Sequence, residues 1–487
     1  MKTISTIAGF IIALFFINNS SFCQITFEFT IKDPLTDEFV NDAIELADGS
    51  FILACNQFYP LPSRVHLLRL SQAGNQLGST EFYYQGQSSG FINILQINPN
   101  QFLFAGYTLN DNKNKIWIYE ADSLFNEINS KVFSLDTCSL FSLNVLSDES
   151  GNIIFHGVLK DPGQMPYAFI YQVSPTLDSL QFKMFTDHPV MFQPSLLRKV
   201  DNSGYYFFLT GYRSISSDYN EAILDLDNSF SINHITGVPQ QLTEYPNSKW
   251  INKKNFILTG RKDFDSNEND RVIGVLVIDT NYSLNHELYI GDHDTVEWPG
   301  MRKNLDYFDT NSIFIGGTHN FCQWEYCEIN CWYSLSNMDS LLHLGWQKFY
   351  GGNANYTLWG LRATKDGGCL LYGTLYDSAT QVNERDIYVI KVDQNGLVGG
   401  IDNKTNQTVH DAIVFPNPGS NHLIIESGPQ ISGAEFRINS IDGKQVIAKT
   451  LIERKTTLET QFLPPGSYIW QIIFKNKIVE TGKWIKE

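Results

Sequence analysis

Asp42, Glu244, Glu297, Trp298 and Trp359 are the side chains of this chain best suited to chemistry on a sugar. Paired carboxylates beside aromatic rings are what a glycosidase uses, one as acid and one as base or nucleophile. Aromatic rings without such a pair are what a glycan-binding face uses, and the plainest reading is ordinary channel and packing residues. Cys322, Cys327 and Cys331 form a second cluster, among Trp324, Tyr326 and Trp332 and close to His319. Zinc would take a C-x₂₋₄-C pair completed by a second pair or by histidines. The Cys322 to Cys327 spacing permits that, but in an exported chain a local disulfide is favoured, with the pairing left open. Gly86-Gln87-Ser88-Ser89-Gly90 fits G-x-S-x-G. A nucleophile elbow needs a helix after the serine, whereas Phe91-Ile92-Asn93-Ile94-Leu95 reads as a strand, so a connecting loop is expected. The stretch from Asp263 to Asp270 clusters oxygens as a Ca²⁺ loop does, but Glu268 and Gly274 stand where that loop needs Gly and Glu;. An acidic solvated loop is expected instead. H-E-x-x-H, P-loop and dinucleotide fingerprints are missing, and no metal or cofactor is expected.

The elements that would position these residues recur along the chain. A turn, a short apolar run, a polar loop, a second apolar run and an Asp-containing turn return about every 50–57 residues. Asp48-Gly49-Ser50-Phe51-Ile52-Leu53-Ala54 with Val65 to Leu70 is one copy, and Asp366-Gly367-Gly368-Cys369-Leu370-Leu371 with Asp386 to Asp393 is the seventh. The runs are short and rich in Ile, Phe, Val and Tyr, with Gly and Asn-Gly between them, which is the pattern of strands. A period near 50 with several strands per repeat predicts four-stranded propeller blades. A further short strand follows each second run except in the seventh copy. The unassigned strand Ile25-Thr26-Phe27-Glu28-Phe29-Thr30 can fill that place and close the ring. The five candidate residues then fall at the starts of inner strands, where propellers line their channel and one face.

Composition bounds the function. The 487 residues are 43% hydrophobic and 14% aromatic, so a sizeable core is affordable and long disorder is not expected;. A net charge of −17 disfavours nucleic acid as a partner;. Lys2, the apolar run Ile7 to Ile17 and the polar break Asn18-Asn19-Ser20-Ser21 read as a signal peptide over residues 1–23;. No other apolar run is long enough for a transmembrane helix.

Residues 24–398 form the predicted propeller, 399–411 a polar linker, and 412–487 a separate domain whose charge balance changes sign. The last segment alternates as short strands, with candidates at His422 to Glu426, Glu435 to Ser440, Gln445 to Lys449, Ser467 to Phe474 and Ile478 to Ile485. Asp442-Gly443 is a hairpin signal, and a small Ig-like sandwich is predicted. Four marks stand in order: Pro416-Asn417-Pro418, Asp442-Gly443-Lys444, Leu463-Pro464-Pro465-Gly466-Ser467-Tyr468, and a last strand ending at Lys486. In this order at the end of the chain they resemble the C-terminal sorting domain of type IX secretion substrates of Bacteroidota. The resemblance implies recognition by the outer-membrane translocon, removal by a sortase-like protease, and a cargo secreted or held at the outer-membrane surface after passage through the periplasm. The body, with Gly367-Gly368 and Asn395-Gly396, is similar to propeller repeats of secreted proteins of that phylum, which implies architecture and no activity.

The expectation is therefore an all-β chain, a seven-bladed β-propeller followed by the sorting domain. The favoured role is a non-enzymatic module that binds an extracellular glycan or protein. A propeller hydrolase acting on polysaccharide is the alternative, and a structural adhesin a third reading. Fold alone does not choose between them.

Overall fold

Strands of two to eleven residues form here because apolar side chains alternate or run continuously between turns that the sequence specifies. The computed structural model describes residues 24–398 and 412–487, apart from 34, 136–137, 161–164, 191–192, 211–220, 264–269, 292–294, 323–328, 381–383, 428–430, 441–442 and 476. The expected leader (1–23) and linker (399–411) lie outside the described residues. Seven antiparallel sheets follow one another along the body, six of four strands and one of five. Their inner strands begin with Asp37–Glu45, Ser89–Asn98, Ser139–Ser147, Ser195–Arg198, Asn247–Trp250, Trp298–Pro299 and Asn355–Ala363. We number the blades 1 to 7 in that order. Blade 7 takes its outer strand from the other end of the body: Phe27–Ile31 pairs antiparallel with Asp386–Val392, from Phe27 opposite Lys391 to Ile31 opposite Ile387.

The core is not one mass but one apolar layer per seam. Phe27, Val40, Phe51 and Leu68 pack with Leu370, Tyr372 and Val389 between blades 1 and 7. Equivalent clusters fill the other six seams. A belt of polar contacts crosses the same seams near the channel. Asp42 Oδ2 accepts from the Ile94 amide at 2.9 Å, and Asn93 Nδ2 donates to Asn144 Oδ1 at 3.4 Å. Asn144 then reaches the Pro194 carbonyl at 3.4 Å, and Ser195 meets Ser248 at 3.0 Å. Lys249 pairs with Asp306 at 2.7 Å, Asp306 accepts from the Ala363 amide at 3.2 Å, and Arg362 returns to Asp42 at 3.0 Å.

One face is built from a turn that every blade repeats after its third strand. Ser71, Asp122, Ser174, Asp227, Asp279, Asp339 and Asp393 head the seven copies, and each side-chain oxygen accepts from the amide four residues on. The residue three after the head has positive φ, as at Phe125, Leu177, Phe230, Tyr282 and Leu342. In L-residues that conformation is strained. Here burial of the side chain compensates, since Leu177 and Phe230 are fully buried. The other face carries the starts of the inner strands and the ends of the second strands.

The C-terminal segment is a two-sheet sandwich. Ala412–Phe415, His422–Ser427 and Lys455–Glu459 form one sheet, and Gln445–Thr450, Glu435–Ser440, Gly466–Phe474 and Lys477–Lys486 the other. The first and fifth of these in chain order, at 412–415 and 455–459, were not among the strands expected from sequence. Leu423, Ile425, Phe436, Ile438, Trp470 and Trp484 fill the space between the sheets. A short 3-10 turn forms at Ser378–Thr380, and among the described residues no helix is long and apolar enough to cross a membrane.

Candidate functional site

The inner strands of blades 7, 1 and 2 each carry a bulge at one register. The shifts fall between Leu358 and Gly360, Val40 and Asp42, and Phe91 and Asn93, so Trp359, Asn41 and Ile92 are the extra residues. A bulge turns a strand and re-aims its side chain. Blade 6 enlarges the same irregularity. Its inner strand pairs as Trp298–Pro299 and resumes at Leu305, leaving 300–304 between, and this insertion carries Arg302. The insertion also lies against blade 7: Arg302 and Lys303 amides donate to the Trp359 carbonyl, and the Leu361 amide to Lys303.

Arg302 therefore enters the channel mouth at the level of Trp359. Its guanidinium lies 5.6 Å from the centre of the Trp359 ring, and Nη1 donates to Gln193 Oε1 of the chain entering blade 4 at 2.9 Å. Trp359 stacks on Phe39 at 4.4 Å, and Phe39 on the half-exposed Phe58 at 4.7 Å. Burial pushes the Tyr107 hydroxyl up to about 12 against the opposing pull of Arg302. Burial likewise raises Tyr245, and it lowers Arg302 itself, whose charge is favoured by Tyr245 and Tyr107.

Below this mouth lies a charged network. Burial and the neighbouring Arg362 bring Lys303 down to about 8, although Asp306 and Asp42 pull the other way. Burial opposes the charge of Asp306, but Lys303, Arg362 and Lys249 outweigh it and hold the carboxyl well below its ordinary range.

The sequence candidates divide. Asp42 is a member of the interblade belt, bound by Arg362, by the Tyr372 hydroxyl at 3.2 Å and by two backbone amides. Glu244 is buried and paired with Arg261 at 2.7 Å, and burial raises its pKa in spite of that arginine. Glu297 is buried against His319. Trp298 lies under Arg261 at 4.9 Å and Arg271 at 5.5 Å and stacks on Phe321 at 4.7 Å. Glu244, Glu297 and Trp298 thus gather at the seam of blades 5 and 6, while Asp42 belongs to the seam of blades 7 and 1. Trp359 alone of the five stands at the channel mouth.

Cys331 is corrected as a disulfide candidate: it is a free, buried thiol, which burial pushes up to about 12, donating to the Asn320 carbonyl at 3.0 Å. Cys322 is disulfide-bonded, and Cys327 lies outside the described residues. Most of the acidic stretch 263–270 also lies outside them; Asp263 itself pairs with Arg261 at 2.8 Å. Ser88 sits in the connection between blades 1 and 2 and accepts from the Ser63 amide, and a strand follows it. No group of three potential metal ligands occurs among the described residues.

Sequence reasoning missed Arg302, Gln193 and Phe39. The signal for Arg302 was Pro299-Gly300, a breaker pair inside a run otherwise placed as an inner strand;.

In the tail, the sorting marks meet. Asn417 Nδ2 donates to the Lys483 carbonyl at 2.8 Å, and its Oδ1 accepts from the Ile485 amide at 2.9 Å. Trp484 Nε1 donates to the Pro416 carbonyl at 2.9 Å, and Gly419 and Lys486 form a parallel bridge. The Tyr468 hydroxyl closes the Pro464 to Gly466 turn through the Pro464 carbonyl at 2.8 Å. Gly443 takes positive φ in the hairpin where expected, and Asp442 lies outside the described residues.

Residues 413–487 match the family described as the secretion system C-terminal sorting domain. The chain is a type IX secretion substrate, an exported β-propeller carrying that domain at its C-terminus. No curated protein matches the chain. Among solved structures it is similar to the WD40 domain of Toxoplasma gondii coronin, at 9% identity over 76% of this chain and 87% of that one, with a TM-score of 0.40. It is similar to the β-propeller domain of the Trilobed protease from Pyrococcus furiosus, at 10% identity over 72% and 95%, with a TM-score of 0.41. The GH93 α-L-arabinofuranosidase of Fusarium graminearum is a third, at 9% over 76% and 98%, with a TM-score of 0.39.

Proposed function

We propose that the mature protein is an extracellular binding module that presents the loop face of its propeller to a glycan or protein. In this reading residues 1–23 are a leader, 24–398 the functional propeller, 399–411 a linker, and 412–487 an address read by the outer-membrane translocon and cut by its sortase-like protease. The observation that carries it is the state of the candidate acids. A retaining or inverting hydrolase needs two carboxyl groups about 5–10 Å apart in one open cleft. Asp42 is committed to the belt, Glu244 to Arg261 and Glu297 to His319, which argues against the hydrolase alternative. A cleft of about 560 Å³ lies between blade 6 and the tail, lined by His319, Trp332, Phe415, Glu426 and Arg454. One wall belongs to the domain that sorting removes, so that cleft is not assigned to the mature protein.

The test is a glycan and protein array probed with the exported protein, run beside a hydrolysis assay on the same glycans. A retained partner without turnover is expected. Release of reducing ends that Glu297→Gln or Glu244→Gln abolishes would replace this reading with the hydrolase.

A further inference from the structure

Arg302 has no carboxylate partner among the described residues. That sets it apart: Arg69, Arg198, Arg261, Arg271, Arg362, Arg385, Arg437 and Arg454 each pair with an acid. Arg64 shares the lack, but it lies over the exposed Tyr83 on the outer surface. At Arg302, as at Arg64, Arg69 and Arg198, the Nε is buried and makes no hydrogen bond; Arg69 and Arg198 differ in having a carboxylate on their other nitrogens. A sequestered cation without a carboxylate is unfavourable, because no ion pair offsets the desolvation penalty. A second unmet group stands at the equivalent position of the neighbouring blade. Asn41, the bulge residue next to that of Trp359, is 1% exposed, and neither its amide nitrogen nor its oxygen has a partner.

We propose that the mouth of the central channel is a binding site for a ligand bearing a single carboxylate, held by Arg302 and flanked by Gln193 and Trp359. This rests on the reading of the propeller as a binding module and names the chemistry of its ligand. A guanidinium presents a planar fork of donors that matches a carboxylate with two parallel hydrogen bonds. The Trp359 ring, 5.6 Å from the guanidinium carbon, holds an aromatic face against the cation;. The Gln193 amide nitrogen can donate to a neighbouring hydroxyl while its Oε1 accepts from Arg302. The charge of the whole chain, −17, repels a polyanion;. The ligand is therefore one acidic group on an otherwise neutral body, such as a uronic acid residue or the free C-terminus of a short peptide.

The experiment is titration calorimetry on the full chain at low salt with sodium acetate, D-glucuronate and N-acetylglycine, and with D-glucose as the uncharged comparison. Binding of at least one carboxylate is expected, tenfold or more weaker in Arg302→Gln, and the tightest probe identifies the source. Gln193→Glu is the second variant. It places an internal carboxylate where Arg302 now donates at 2.9 Å, so it should abolish binding while raising the melting temperature, which also shows that the variant folds. The proposal is overturned if no carboxylate binds the wild-type chain, or if binding survives both variants unchanged. Retention of a neutral glycan on the array with no response to carboxylates would leave the binding-module reading standing and remove this one.

Discussion

His156 shows how a single buried group makes stability depend on pH. It lies on the second strand of blade 3, opposite Asn144 and Ile170, and is 4% exposed with Nδ1 unpartnered. Burial lowers its pKa to about 3, from 6.5. The unfolded chain therefore takes up a proton at this site as pH falls below about 6.5, and the folded chain does not until about 3. Stability from this residue is fully present above the unfolded pKa. It is lost through that window, at up to about 1.4 kcal/mol per pH unit. In urea titrations between pH 7 and 4, His156→Leu is expected to flatten the loss of stability by about that slope. An unchanged slope would mean that the ring finds a proton acceptor in the folded state. The same scale shows where residue reading stops. Asp42, Glu244 and Glu297 were legible as unusual acids in inner strands, but their partners Arg362, Arg261 and His319 come from other strands or other blades, distant in sequence, and no spacing rule announces them. Arg302 was hidden for the opposite reason, since what marks it is a partner that is missing.

At the level of elements, the sorting marks turn out to be two ends of one latch. Asn417 replaces a strand: its amide side chain takes the place of backbone groups opposite Lys483 and Ile485. This ties the start of the sandwich to its last strand and accounts for the pairing of an early Pro-Asn-Pro with a fixed C-terminal strand. Asn417→Ala removes two hydrogen bonds worth about 1 kcal/mol each. The amides of Trp484 to Lys486 are then expected to exchange with solvent roughly ten- to thirtyfold faster, while those of the propeller stay unchanged. Equal protection in the variant would show that Trp484 and Gly419 hold the strand unaided. Turn chemistry is the part of this fold that sequence states most openly. Asp and Ser heads recur after every third strand because a side-chain oxygen is needed there in each blade. The two tail strands at 412–415 and 455–459 were less legible, being short and lying beside proline or charged residues that blur their alternation.

The whole molecule depends on how the ring shuts. Six blades are made from continuous chain, but blade 7 is completed by a strand more than 350 residues earlier. That strand brings a five-residue ladder, the Glu28 carboxylate that accepts from the Tyr388 hydroxyl at 2.9 Å, and Phe27, which packs into the seam of blades 1 and 7. The pattern of repeats pointed to this closure because one copy lacked its outer strand and one strand lacked a copy. Closure shows in the count of strands, whereas the channel chemistry depends on contacts between blades distant in sequence. Without Phe27–Ile31, the run Asp386–Val392 becomes a free edge, and every residue of it is buried in the closed ring. An exposed edge rich in Ile, Tyr and Val is a template for pairing with another chain. Deleting residues 24–31 is therefore expected to give oligomers in light scattering and a melting temperature lower by several degrees. A synthetic peptide of residues 24–33 added in trans should restore the monomer, because the register from Phe27 to Ile31 is carried by backbone pairing that a free peptide can supply. A deletion protein that stays monomeric and melts as before would show that the seven seam clusters hold the ring without its closing strand.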